Sequence, residues 1–223
     1  MFVPVFYFRQ IKAILIKEYL FEIRKLFILG GLLAFLVGVS YLIYFFIGQP
    51  TLPVRNLFFW MVFMFLSFFS ASRSFEEDAA NYKHYVHQMA HPVIFFLSKV
   101  VFLFSSLLIL SFILMGIFHV FVPTAESLNW RWLPLMLTSC LGISLINGFS
   151  SLVSSEGHSK HILFIVISLP LVFPILGISY SISLKILEHT PNANLFSMFY
   201  PLISIDLLAL ALIFIIVPLM WKN

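Results

Sequence analysis

Residues 93–122 read VIFFLSKVVFLFSSLLILSFILMGIFHVFV. These thirty residues hold one lysine, Lys99, one histidine, His119, and otherwise apolar, hydroxyl and glycine side chains. A helix needs about 20 apolar residues to cross the hydrocarbon layer of a bilayer. This run is therefore long enough to cross while tilted, or to protrude. Five further apolar runs lie at about 26–47, 57–71, 133–153, 162–184 and 201–221. In lipid the backbone must satisfy its own hydrogen bonds, so each run is expected as a helix. The expected fold is an all-α integral membrane protein, with residues 1–223 forming one domain of six transmembrane helices.

Composition agrees with lipid as the solvent. The 223 residues are 61% hydrophobic and 10% charged, with 28 phenylalanines. A soluble domain carries about a quarter charged residues and uses them to cover its surface. The net charge of +4 comes from lysines and arginines at the ends of apolar runs. That placement sets topology and does not form the clustered basic face that nucleic acid needs. A single cysteine, Cys140, excludes an intramolecular disulfide and CxxC chemistry. It reads as a small packing residue inside the fourth run. Residues 1–8 are apolar without a basic segment before them, so the first span is expected to serve as the insertion signal.

The connections carry the remaining information. Residues 9–25 form an amphipathic segment, with Leu15, Ile16, Tyr19, Leu20 and Ile23 on one face and Lys17, Glu18, Glu22 and Lys25 opposite. Ile11, Ile14 and Phe21 interrupt the polar side. The reading is a helix lying in the membrane interface. Gln49–Pro53, with two prolines, is expected as a tight turn. The longest polar stretch, 72–92, holds Arg73, Glu76, Glu77, Asp78, Lys83, His84, His87 and His91. Ser74 and Glu77 have capping-box spacing, which predicts a helix start there. Trp130 and Trp132 suit the aromatic belt before the fourth span. Residues 188–200, with Pro191, Asn192 and Asn194, predict a short interfacial or re-entrant element.

Lysines and arginines divide unequally between the two sides. Ten (Arg9, Lys12, Lys17, Arg24, Lys25, Arg73, Lys83, Lys99, Lys160, Lys222) fall on the side of the termini, and three (Arg55, Arg131, Lys185) on the other. The positive-inside rule then puts both termini and 72–92 in the cytoplasm.

Several residues are candidates for function. His84, His87 and His91, at i, i+3 and i+7, share a helical face that suits metal or haem, or a solvated surface. No closed metal-ligand pattern accompanies them, so no metal site is expected. His119 near the far end of the third span and Asp206 about five residues into the sixth are candidates for a pathway or for haem proximity. An ionisable side chain in a span is costly and turns to the bundle interior or to water; at that depth Asp206 also suits a cap near the interface. Pro170 and Pro174 remove backbone donors mid-span and are candidate hinges. The chain has no P-loop, G-x-S-x-G, H-E-x-x-H or glycine-rich nucleotide fingerprint. It is expected to have no catalytic residues, and any ATP hydrolysis belongs to a partner chain.

Six spans, an N-terminal interfacial helix and a cytoplasmic segment between spans two and three resemble an ABC-2-type permease. Arg73-Ser74-Phe75-Glu76-Glu77-Asp78 is similar to the R-x-F-x-x-D stretch that follows the second span in CcmB, the cytochrome c maturation permease family. His91-Pro92 and Leu97-Ser98-Lys99-Val100 resemble that family's S-P-L segment and the A-K-V opening of its third span. Leu169-Pro170-Leu171-Val172-Phe173-Pro174-Ile175-Leu176-Gly177 resembles its L-P-L-x-x-P-x-x-I-F-G stretch, and Lys17–Arg24 its basic N-terminal helix. The chain departs from the pattern at Ala79–Lys83, where the family has an acidic residue and glycine.

The resemblance implies a coupling role for Arg73, Phe75, Glu76, Glu77 and Asp78, which would dock on an ABC ATPase subunit (CcmA-like). It implies two copies of each chain, a haem-handling membrane subunit (CcmC-like), a small membrane subunit (CcmD-like) and a periplasmic haem chaperone (CcmE-like). Haem would be a handled ligand, not a resident cofactor. The expected location is the bacterial inner membrane, and the expected task is to couple ATP hydrolysis to release of the haem-loaded chaperone. The alternative is another ABC-2 exporter, for a drug, lipid or polysaccharide. An intramembrane enzyme would need His and Asp facing each other at mid-membrane, a pattern the sequence does not suggest.

Overall fold

A computed structural model describes residues 11–20, 26–74, 92–122, 130–155, 160–188 and 192–220. These residues form seven helices: α1 (11–20), α2 (Leu26–Ile47), α3 (Leu52–Ser74), α4 (Pro92–Phe121), α5 (Trp132–Ser155), α6 (Lys160–Leu187) and α7 (Asn192–Met220). There is no strand among them. α2 to α7 each contain a stretch long and apolar enough to cross a membrane. The chain is a multi-pass membrane protein.

Contacts between side chains fix the directions of the helices. Phe59 early in α3 meets Phe118 late in α4, edge to face at 5.7 Å between ring centroids. Phe68 late in α3 meets Phe164 early in α6 at 5.9 Å. Ser139 early in α5 hydrogen-bonds Ser179 late in α6 at 2.7 Å. These pairs are antiparallel. Asn147 of α5 reaches Ser67 of α3, and Ser151 reaches the Ala71 carbonyl, so α3 and α5 run parallel. The helices thus alternate in direction. One end of the bundle gathers the start of α2, the end of α3, the start of α4, the end of α5 and the start of α6. Through Glu18 and Tyr19 it also holds α1.

α5 is the central helix. Two thirds of its apolar window (67%) is buried, against 22% for α2 and for α7. It packs on α3, α4, α6 and α7. Small residues make this approach close: a Cβ on Gly148 would sit 3.1 Å from Val100 Cγ2 of α4. Small side chains at helix crossings let backbones approach where lipid supplies no hydrophobic drive between helices. Many hydroxyls bond back to their own helix, such as Ser98 to the Ile94 carbonyl and Ser111 to the Leu108 carbonyl. These serines are thereby satisfied inside an apolar bundle. The outer surface is apolar, with Phe45, Phe46, Val120, Ile165, Val166, Leu207, Leu208 and Ile215 exposed. That surface is the one a bilayer covers.

The helix ends differ from the sequence expectation in four places. Pro53 stands in the first turn of α3, where a missing N–H leaves nothing unsatisfied; the turn is shorter, with Gly48 at φ 69° ending α2. α3 continues as helix through Ser72, Arg73 and Ser74, and the helix start expected from Ser74 and Glu77 lies outside the described residues. α6 runs on to Leu187. α7 begins at Asn192 and passes through Pro201. Of the interfacial or re-entrant element expected over 188–200, residues 192–200 are the first turns of α7, and 189–191 lie outside the described residues. Backbone hydrogen bonding in an apolar solvent favours continuing a helix over breaking it at one proline.

Candidate functional site

α1 docks on the bundle by a face that the sequence pattern assigned to water. Ile11, Ile14 and Leu15 are half-buried and Glu18 is buried, at i, i+3, i+4 and i+7. Lys12, Ile16 and Leu20 point outward, and Tyr19 is exposed while its ring meets Phe102 edge-on at 5.3 Å. The interruptions of the polar side, Ile11 and Ile14, are the docking residues. Ile14 packs on the cluster of Ala71, Phe95, Phe96, Val100 and Leu103. The reading of Glu18 as a solvated residue is corrected.

Its partner explains why. Lys99, in the second turn of α4, is 1% exposed, and its Nζ lies 2.8 Å from Glu18 Oε1. Lys17 approaches the same oxygen at 3.9 Å. Nζ of Lys99 also sits 5.8 Å from the centre of the Phe95 ring. A lysine so buried needs an opposite charge, and removing one partner of such a pair costs about 3–5 kcal/mol. The sequence placed Lys99 in the apolar run 93–122 and counted it with the basic residues of the terminal side; the structure buries it there against α1.

At the opposite end, α3 is pinned to α6. Trp60 Nε1 donates to Ser183 Oγ at 2.8 Å, and Asn56 Nδ2 donates to the Tyr180 carbonyl at 3.0 Å. The Ser183 hydroxyl lies 2.9 Å from Asn56 Oδ1 and 2.8 Å from the Tyr180 carbonyl, either of which accepts its one proton. Neither this network nor the Glu18–Lys99 pair was singled out from sequence. The visible signals were a polar residue and a tryptophan four apart at the start of a span, and a lysine inside an apolar run.

The residues singled out from sequence fall in separate places. Arg73 is in the last turn of α3. Phe75, Glu76, Glu77, Asp78, His84, His87 and His91 lie outside the described residues. His119 is exposed on the flank of α4, at the end away from α1. Pro170 and Pro174 are exposed on α6, which stays helical through both, while Val172 and Ile175 between and after them are buried. Asp206 is not near a helix start: it stands at the midpoint of α7, fourteen residues from either end, and is 6% exposed. Reading it as an interfacial cap is corrected, because α7 begins nine residues earlier than expected. Its carboxyl lies over Gly142 of α5, where an added Cβ would be 2.0 Å from Oδ1. Oδ1 has no hydrogen-bond partner among the described residues.

No hydrogen bond or ion pair joins His119 to Asp206 among the described residues. They also contain no group of three or more His, Cys, Asp or Glu placed to hold a metal ion. Cys140 is buried in α5 and hydrogen-bonded to Ser111. Protein-family models, curated proteins and solved structures were compared with this chain, and none matches.

Proposed function

We propose that this chain is the permease subunit of an ABC-2-type transporter, and that its task is cytochrome c maturation. One observation carries the coupling part of the reading. α1, the end of α3 with Arg73, and the first turns of α4 with Lys99 meet at the same end of the bundle. The polar segment 75–91 joins α3 to α4 at that end. The excess of lysine and arginine assigns that end to the cytoplasm, where an ATPase subunit works. A partner pressing on 75–91 would push on two helices at once. α3 would pass the displacement to α5 through Ser67–Asn147 and Ser151–Ala71, and to α6 through Trp60–Ser183. Rigid-body motion of packed helices is a common way to carry such a change.

The cytochrome c part rests on the R-x-F-x-x-D and L-P-L-x-x-P resemblances. Haem is a handled ligand in this reading. His119 is exposed on the flank of α4, so a haem contact there would be shared with a neighbouring haem-handling subunit and not formed inside the bundle. Release of the haem-loaded periplasmic chaperone would follow the partner's ATP hydrolysis in the bacterial inner membrane.

Deletion and complementation test the proposal. A deletion strain is expected to lose c-type cytochromes. The wild-type chain restores them, and Glu77→Ala with Asp78→Ala restores neither the cytochromes nor ATPase association. Normal c-type cytochromes in the deletion strain would remove the haem reading and leave the alternative of an exporter for a drug, lipid or polysaccharide.

A further inference from the structure

We propose that the Glu18–Lys99 ion pair is a latch that makes α1 and the first turns of α4 one moving body. The inference deepens the transporter reading and rests on it only for the source of the motion. Residues 11–20 of α1 are described. Its packed face is narrow: Ile11, Ile14 and Leu15 are only half-buried, and Glu18 alone is buried. Two of its outward residues, Ile16 and Leu20, suit lipid and would hold α1 at the membrane surface anywhere along the bundle. What selects one position is the charge pair. Lys99 Nζ lies 2.8 Å from Glu18 Oε1 and 5.8 Å from the centre of the Phe95 ring. Tyr19 adds a second tie one turn further along α4, where its hydroxyl hydrogen-bonds Ser105 and its ring meets Phe102. Ser105 and Lys99 lie six residues apart, so α1 is held along α4 over about 9 Å. On α1 these ties fall at adjacent residues, and Ile14, one turn before Glu18, adds a third contact by packing on the cluster of Phe95 and Leu103, so α1 is held along its own length as well. Movement of α4 driven through 75–91 would carry α1 with it.

Hydrogen exchange of the purified chain in lipid nanodiscs tests the latch without any partner. In Lys99→Met, exchange of residues 11–20 is expected to rise on the order of a hundredfold, the scale of loss when one partner of a buried pair is removed. Exchange in α5 and α7 should stay unchanged. The exchanged pair, Glu18→Lys with Lys99→Glu, is expected to recover most of the protection. Wild-type exchange over 11–20 in Lys99→Met would overturn the latch. So would a charge-exchanged variant that behaves like Lys99→Met, because burial rather than pairing would then hold α1. In a complex with an ATPase, ATP is expected to alter exchange over 11–20 and in the first turns of α4 together in the wild type, and in α4 alone in Lys99→Met. Equal responses of α1 in both proteins would overturn the latch. Absence of any nucleotide response in the wild type would count against the transporter reading, while the partner-free exchange decides the latch.

Discussion

Gly142→Ala should be the most informative small change in the bundle. Its Cβ would stand 2.0 Å from Asp206 Oδ1, about 1.4 Å short of the 3.4 Å at which ordinary contact begins, and 2.8 Å from Ile175 Cδ1. Ile175 presents the far end of a flexible chain and can turn aside. Asp206 is 6% exposed, so its carboxyl can clear the methyl only by turning into packed surroundings or with a shift of α7. Overpacking of this kind costs about 1–3 kcal/mol. Alanine also favours the helix by about 1 kcal/mol over glycine. Gly177→Ala supplies the control, since nothing lies within 4 Å of its added Cβ. The difference between the two substitutions should be about 1–3 kcal/mol, with Gly177→Ala the more stable. Thermal or detergent unfolding followed by circular dichroism measures it. Asp206→Ala should remove most of the Gly142→Ala penalty, a coupling of about 1–3 kcal/mol between touching residues. Equal stability of Gly142→Ala and Gly177→Ala would refute the close contact, as would a penalty that persists undiminished beside Asp206→Ala.

Other consequences follow from the same packing. Trp60→Phe and Ser183→Ala each break the tie between α3 and α6, and their double-mutant coupling should be about 0.6–1.7 kcal/mol, the range for hydrogen bonds between membrane helices. Additive effects would show that the 2.8 Å contact contributes nothing. Cys140 is fully buried, so a maleimide should leave it unlabelled in the folded protein and label it after unfolding in SDS. Rapid labelling in mild detergent would contradict its place in α5.

The spans were legible because bilayer thickness and backbone hydrogen bonding leave few options for an apolar run of twenty or more residues. The beginning of α7 was not. Pro191, Asn192 and Asn194 read as a break in water-based rules, yet α7 starts at Asn192 and continues through Asn194 to Pro201 and beyond. That error moved Asp206 from the middle of the membrane toward its edge. The face of α1 was misread for a related reason. A helical wheel assumes that charge faces water, and Glu18 faces a lysine that lies 81 positions later in the chain. Ile11 and Ile14, which spoiled the polar face, marked the true contact. The Asn56–Trp60–Ser183 network was invisible for want of partners, since polar residues in two separate runs do not reveal that α3 and α6 are neighbours.

Affinity purification of the tagged chain in mild detergent, with its partners identified and a haem absorption scan, tests the central claim most directly. The account predicts recovery of an ABC ATPase together with cytochrome c maturation subunits, and loss of the ATPase from the Glu77→Ala, Asp78→Ala variant. Recovery of the intact chain with no ATPase would contradict the claim that this six-helix bundle is a transporter subunit.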